Sequence, residues 1–329
     1  MLILNPNPCF SRTLHMSHFE RGAIMRTESA QVRAGGKGID AARVAKSLDR
    51  KAPLYILLGN RDLVEYSRLL QNEEIAFHSV PFPGSVRVAT MYVEPATLTT
   101  TIINEEGPII TREDWNLYLA EIAGELHKGE MVACMGSFPM GTDQEFISDL
   151  VNLVHSKGAM LFMDTAPHSL KMAINAGVDI VSPNLDEAEA VINAGDEDFF
   201  EGNNDDGQVR AIRAALALCK MGVKVAIVHA GELGTALAHG NEVTFIKSPY
   251  VKVKSAVGAG DSLAAGFILK SEEQNSRQDF STIDWVVSAQ FGVATAAAAC
   301  EMGRSGDVDA QRVAELFLEV VNDLGAGGG

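Results

Sequence analysis

Asp179-Ile180-Val181-Ser182-Pro183-Asn184-Leu185-Asp186-Glu187-Ala188-Glu189 passes from a short apolar run, through a proline turn, into a helix start. Asn184 is a natural N-cap, and Glu187 three residues later completes the capping-box spacing. The same change of rhythm recurs along the chain. Apolar runs of strand length lie at Leu2–Leu4, Leu54–Leu58, Met131–Met135, Met160–Met163, Asp179–Val181 and Val223–Val228. Several lack polar alternation, as strands covered on both faces require. Amphipathic stretches at Gly38–Leu48, Leu63–Leu70, Trp115–Leu126, Gln144–Val154 and Val209–Cys219 lie between them. Strands alternating with helices predict an α/β fold: an open, mostly parallel sheet flanked by helices.

Two regions break the alternation. Residues 11–33 are polar-mixed, and Val86–Val93 and Thr99–Asn104 read as a hairpin joined through Glu94-Pro95-Ala96. Together, about 11–33 and 86–105 are expected to form a small second sheet, a lid over a single domain spanning 1–329. Gly195–Gly207, with Asp196, Glu197, Asp198, Glu201, Asp205 and Asp206, is expected to be a solvated acidic loop, and the closing Gly325–Gly329 to be disordered.

Charge narrows the partners. A net charge of −16 argues against nucleic acid or an anionic membrane as partner, and it repels a phosphorylated ligand unless local cations and N–H groups are provided. The four cysteines, Cys9, Cys134, Cys219 and Cys300, have no C-x-x-C spacing and read as reduced thiols. With no secretory signal and no apolar run near the roughly 20 residues a bilayer needs, a cytoplasmic protein is expected.

The chemistry is concentrated in Ser255-Ala256-Val257-Gly258-Ala259-Gly260-Asp261-Ser262-Leu263-Ala264-Ala265-Gly266-Phe267. A small-residue turn opens a helix there. Gly258, Ala259 and Gly260 allow close approach of a ligand, and their N–H groups at the helix start make an anion hole. Asp261 has two readings: a helix cap, or a base taking the acceptor's proton while the N–H groups steady a transferred phosphate. Small residues on both sides of it favour the base.

A second glycine turn, Arg33-Ala34-Gly35-Gly36-Lys37-Gly38-Ile39-Asp40-Ala41-Ala42-Arg43-Val44-Ala45, carries a lysine inside it. It matches neither the P-loop spacing nor the dinucleotide fingerprint. It is either a tight turn with an exposed lysine or a substrate clamp in which Lys37 meets an anion. For Asn184 and Glu187, the capping box stands beside a role in orienting Mg²⁺-bound waters.

Gly35–Gly38, Pro183-Asn184…Glu187 and Gly258–Asp261, in this order and with a Val228–Gly234 turn before the last, resemble the PfkB (ribokinase-like) family of carbohydrate kinases. The resemblance covers residues 2 to 303. It is closest to the branch of 1-phosphofructokinase and tagatose-6-phosphate kinase, on Leu4-Asn5-Pro6, Gly35–Ile39 with Ala42–Val44, Pro83–Arg87, Thr101–Pro108 and Gly136–Pro139.

It implies a ribokinase-like three-layer core with a β-sheet lid, ATP along the carboxyl ends of the strands, and Mg²⁺. Asp261 is then the base, Gly258, Ala259 and Gly260 the anion hole, and Glu187 the metal residue, acting through water. Asn184, Gly231 and Gly234 serve ATP; Gly35, Gly36, Lys37, Asp40 and Arg87 serve the substrate, with Lys37 and Arg87 on its existing phosphate. Such lids often pair in homodimers. Four departures stand out: Cys9 where that branch has Asp, Asp40 where Asn is usual, Ser255-Ala256 in place of a polar pair, and Ser182 in place of a frequent Lys. With a thiol at Cys9, Asp40 is the candidate to hold the sugar hydroxyls instead. The leading expectation is a phosphosugar kinase; a kinase of a free sugar or small alcohol, and a binding protein without turnover, are the alternatives.

Overall fold

The structure, a computed structural model, describes residues 1–27, 29–94, 99–193, 206–275 and 278–326. In chain order the strands are β1 (Leu2–Asn5), β2 (Cys9–His15), β3 (Ser29–Gly35), β4 (Leu54–Gly59), β5 (Phe77–Phe82), β6 (Arg87–Glu94), β7 (Thr99–Asn104), β8 (Met131–Met135), β9 (Met160–Asp164), β10 (Ile180–Val181), β11 (Val225–His229), β12 (Gly234–His239) and β13 (Glu242–Lys247). The helices are α1 (Lys37–Ser47), α2 (Leu63–Asn72), α3 (Arg112–Glu125), α4 (Gln144–Ser156), α5 (Pro167–Ala176), α6 (Leu185–Asn193), α7 (Gly207–Lys220), α8 (Ala259–Gln274), α9 (Trp285–Cys300) and α10 (Ala310–Ala326).

The larger sheet runs β13-β12-β11-β10-β9-β8-β1-β4-β5. Strands β5 through β11 in that order are parallel, and β12 and β13 close one edge antiparallel. The parallel strands read as unbroken apolar runs because both faces are covered. Successive side chains alternate between the faces. Ile3, Ile56 and Ala133 point into one core with α1, α2, α8, α9 and α10; Leu2, Leu4, Tyr55, Leu57 and Val132 point into the other with α3–α7.

Helix α8 lies unusually close to α9. A β-carbon on Gly266 would collide with Thr295 Oγ1, and one on Gly292 would sit 2.7 Å from Leu263 O. The small residues after Asp261, Gly266 above all, therefore serve helix packing.

The smaller sheet runs β3-β2-β6-β7, with a parallel centre pair and antiparallel outer pairs. It springs from the large sheet where β1 leads into β2 and returns where β3 meets α1 at Gly36, whose φ of 138° suits only glycine. Strands β6 and β7 pair as the hairpin reading expects, but residues 95–98 that join them lie outside the described residues, as do 195–205 of the acidic segment. Gly325 and Ala326 belong to α10; 327–329 lie outside the described residues. Among the described residues, no helix is long and apolar enough to cross a membrane.

Candidate active site

Polar residues gather where apolar strands end at their carboxyl side. Asn5 closes β1, Asp164 closes β9 and His229 closes β11, while Gly136 follows β8 and Asn184 follows β10. Open parallel sheets bind ligands at this edge. Asn5, almost fully buried, accepts from the Gly38 N–H through Oδ1 at 3.0 Å, which fixes the start of α1.

Gly258 caps α8 in the left-handed conformation, φ 83°, and Asp261 sits in the first turn. The Ala259 N–H donates to Ala256 O at 3.2 Å, whereas among the described residues no acceptor takes the N–H groups of Gly258, Gly260 and Asp261. The open donors are thus these three rather than the Gly258-Ala259-Gly260 trio. Asp261 does not cap its helix, and among the described residues nothing donates a hydrogen bond to its carboxylate, although the residue is 9% exposed. Burial raises its pKa well above the usual carboxylate range; Lys37 pulls the other way, and Asp40, Asp164 and Glu187 add to the rise.

Lys37 is the hub of these charges. Its Nζ donates to Asp164 Oδ1 at 2.7 Å, and Asp164 is buried. Burial works against the ammonium, but Asp164, Asp261 and Glu187 outweigh it and hold its pKa above the ordinary lysine value. Glu187 and Asn184 form the reciprocal capping box: Asn184 N–H donates to Glu187 Oε2 at 3.0 Å, and Glu187 N–H to Asn184 Oδ1 at 2.8 Å. Burial raises the pKa of Glu187 against the pull of Lys37. Near β11, Gly231 faces open space at φ 58°, while a β-carbon on Gly234 would collide with Ile246 O, so strand packing alone demands glycine at 234.

The small sheet supplies the other wall. Cys9 stands in register between Gly35 on β3 and Arg87 on β6. It is 5% exposed, and burial pushes its thiol up to about 11, Arg87 opposing. The Arg87 guanidinium donates to Asn7 O at 3.2 Å and 3.3 Å and to Glu105 O at 3.4 Å, with no carboxylate partner among the described residues. Lys37 and Arg87 therefore rest on different partners, one on a carboxylate and one on carbonyls.

Residues 7–310 match the pfkB family of carbohydrate kinases. The chain belongs to this family. It is 28% identical over 263 residues to the 1-phosphofructokinase of Rhodobacter capsulatus, covering 80% of each chain. It is 23% identical over 275 residues to the tagatose-6-phosphate kinase of Staphylococcus epidermidis, covering 81% of this chain and 83% of that one. The fold is that of phosphofructokinase-2 from Escherichia coli, solved in complex with substrates and products: TM-score 0.84, 21% identity, 98% of this chain and 99% of that one. The ribokinase-like α/β fold, with its large and small sheets, is thus the fold found, and the protein is a carbohydrate kinase, an activity whose family implies ATP as phosphate donor.

In this kinase, both carboxylate oxygens of Asp40 have partners within the chain. Its Oδ1 accepts from Arg43 Nη1 at 2.6 Å, and its Oδ2 accepts from Ser305 Oγ at 2.5 Å. Ser305 also packs on the α8 turn, since a β-carbon on Gly258 would collide with its Oγ. Asp164, His229, Asn5 and Ser305 join the residues that the sequence motifs point to. For Asp164 and His229 a signal existed: a titratable residue directly after an apolar strand. For Ser305 none did, because its partners lie far away in sequence.

Proposed function

We propose that this kinase transfers the γ-phosphate of ATP to a hydroxyl of a sugar that already carries a phosphate. The observation that supports the phosphorylated substrate is Arg87. In a chain of net charge −16, its guanidinium is held by main-chain carbonyls and, among the described residues, by no carboxylate, so its charge is left for an anionic ligand. Arginine suits that task because its planar fork matches phosphate oxygens.

Asp261 takes the acceptor's proton. Among the described residues its carboxylate takes no hydrogen bond, and its raised pKa makes it a stronger base than an exposed aspartate. That idle, buried carboxylate also weighs against a fold kept only for binding. The open N–H groups of the α8 turn steady the transferred phosphoryl group, with the helix dipole behind them. Lys37, tethered by Asp164, screens the carboxylates from the incoming triphosphate. Asn184, Gly231 and Gly234 line the way to the nucleotide.

Mg²⁺ fits the donor set. It binds through one or two carboxylates, several waters and substrate phosphates, and Glu187 and Asp164 lie close enough for each other's charge to be felt. Among the described residues no cluster of three or more ligating side chains forms a self-sufficient cage. When bound with ATP, the ion would neutralise phosphate charge.

The small sheet acts as the lid and, in this reading, pairs with a second copy. Val32 on β3 and Ile103 on β7 lie in one cross-strand row through Arg12 and Thr90, and are 44% and 53% exposed. The function is tested by ATP consumption with phosphorylated ketoses and aldoses against their unphosphorylated parents. Equal kcat/KM on both would overturn the phosphosugar reading and leave the free-sugar kinase.

A further inference from the structure

The turns that open α1 and α8 press on one loop, residues 301–309 between α9 and α10. Gly306, at φ 78°, lies so close to α1 that a β-carbon there would sit 2.9 Å from Asp40 Cα. On the other side, Ser305 Oγ takes the space that a β-carbon on Gly258 would need. Asp40 holds that hydroxyl in place. Its Oδ2 accepts from Ser305 Oγ at 2.5 Å, while Arg43 Nη1 fixes its Oδ1 at 2.6 Å. Arg43 is anchored in turn, donating to both oxygens of Glu73 and to Ala34 O on β3 at 2.6 Å. An asparagine has one acceptor oxygen; only a carboxylate accepts from both donors.

We propose that Asp40 is a positioning residue for phosphoryl transfer: by holding Ser305 against Gly258 it fixes how the α8 turn, with its open N–H groups, faces the acceptor. This role rests on the α8 turn being the phosphoryl site. Phosphoryl transfer is catalysed chiefly by placement, and a displacement of about 1 Å imposed from afar can cost roughly a hundredfold. Gly258 is the residue to which such a shift would pass, because it caps α8 and touches Ser305 directly. The same loop meets α1 at Asp40, one turn beyond Lys37, so a single contact sets the spacing between the two glycine turns. With both oxygens taken by the chain, this aspartate acts on the turn and not on a sugar hydroxyl.

Two other roles predict different kinetics: a carboxylate that holds sugar hydroxyls, and a loop that only adds stability. Ser305→Ala removes the hydroxyl and leaves every charge in place, whereas Asp40→Asn also removes a charge that raises the pKa of Asp261. These two, their double variant and Asp261→Asn are compared with the wild type by steady-state kinetics on the whole chain, with thermal unfolding recorded. The acceptor is the fastest sugar of a panel of phosphorylated ketoses and aldoses and their unphosphorylated parents. A hydrogen bond to a charged group is worth roughly tenfold to a hundredfold. Ser305→Ala should lower kcat by about tenfold at unchanged KM for the sugar. Added to Asp40→Asn, the same change should cost much less, because the contact is already broken. A raised sugar KM in Asp40→Asn beside a silent Ser305→Ala overturns the positioning role in favour of a sugar contact. A lower melting temperature with kcat intact, or an equal loss from Ser305→Ala in both backgrounds, overturns it as well. If kcat falls in Asp261→Asn while Ser305→Ala is silent, only the positioning role fails; if Asp261→Asn keeps normal kcat, the phosphoryl reading of the turn fails and takes this role with it.

Discussion

Lys37 Nζ lies 2.7 Å from Asp164 Oδ1, so the cation of the first glycine turn is tied to the end of β9 and not to the small sheet. This pair sets the charge around Asp261, since Asp164 raises the pKa of Asp261 and Lys37 lowers it. Asp164→Asn removes the raising charge and frees Lys37 to approach Asp261. Both changes lower the pKa of the base. The acid limb of the pH profile of kcat/KM should move down, while kcat falls because a weaker base accepts the proton. A limb that stays in place would show that Asp164 does not act on the base.

Asp261→Asn should keep the fold and lower kcat by roughly 10²–10⁴. Stability gives an independent reading. The carboxyl's folded pKa is raised, so the wild-type protein loses stability as pH climbs from the ordinary aspartate value through the folded one. The asparagine variant has no such loss. Its melting temperature should therefore gain on the wild type as pH rises, and a constant gap would contradict the burial of charge at this site.

Glu73 joins the small sheet to the core. It accepts from Arg33 Nη2 at 2.9 Å and from Arg43 Nε at 2.6 Å. Burial favours its neutral form, yet the hydrogen bonds from Arg43 and Arg33 bring its pKa from 4.5 to about 2. Because the folded value is depressed, its stabilisation is complete above the unfolded value and fades as pH falls through the folded one. Glu73→Gln should cost on the order of 2 kcal/mol at pH 7, below the range for fully buried pairs because Glu73 is partly exposed. Urea unfolding should show the deficit shrinking as the pH drops below that of an ordinary glutamate.

Arg87→Ala should erase most of the preference for a phosphorylated sugar over its parent and leave the KM for ATP nearly unchanged. Steady-state kinetics on matched sugar pairs checks it. A silent variant would mean that the arginine merely ties Asn7 to Glu105.

Cys9→Asp should act through Arg87, its register neighbour on β6. Opposite charges facing each other across strands attract, so the new carboxylate should draw the guanidinium away from a phosphate. KM for the phosphorylated sugar should rise, and acceptance of free polyhydroxy sugars should improve. Unchanged KM values for both would place Cys9 away from the sugar.

Periodicity alone determined the layers of this protein. Unbroken runs of strand length such as Met131–Met135 suit strands buried on both faces, and the glycine turns before α1 and α8 are readable because small residues in a row mark close backbone approach, although Asn5 and Ser305 complete those turns from afar. The capping box of Asn184 and Glu187 was legible because both residues lie in one helical turn. Strands β5, β12 and β13 and helices α5, α9 and α10 do not stand out in the sequence in this way. What only the tertiary structure decided is which charges meet. Lys37 and Asp164 are 127 residues apart, and Asp40 and Ser305 are 265 apart. No sequence window contains both members of either pair. Their meeting depends on the parallel order of the strands, which delivers Asp164, Asn184, His229 and the α8 turn to one edge, and on the close packing of α8 against α9. The raised pKa of Asp261 follows from that assembly: the residue type was visible from the start, but the burial and the neighbouring charges that shift it exist only in the folded chain.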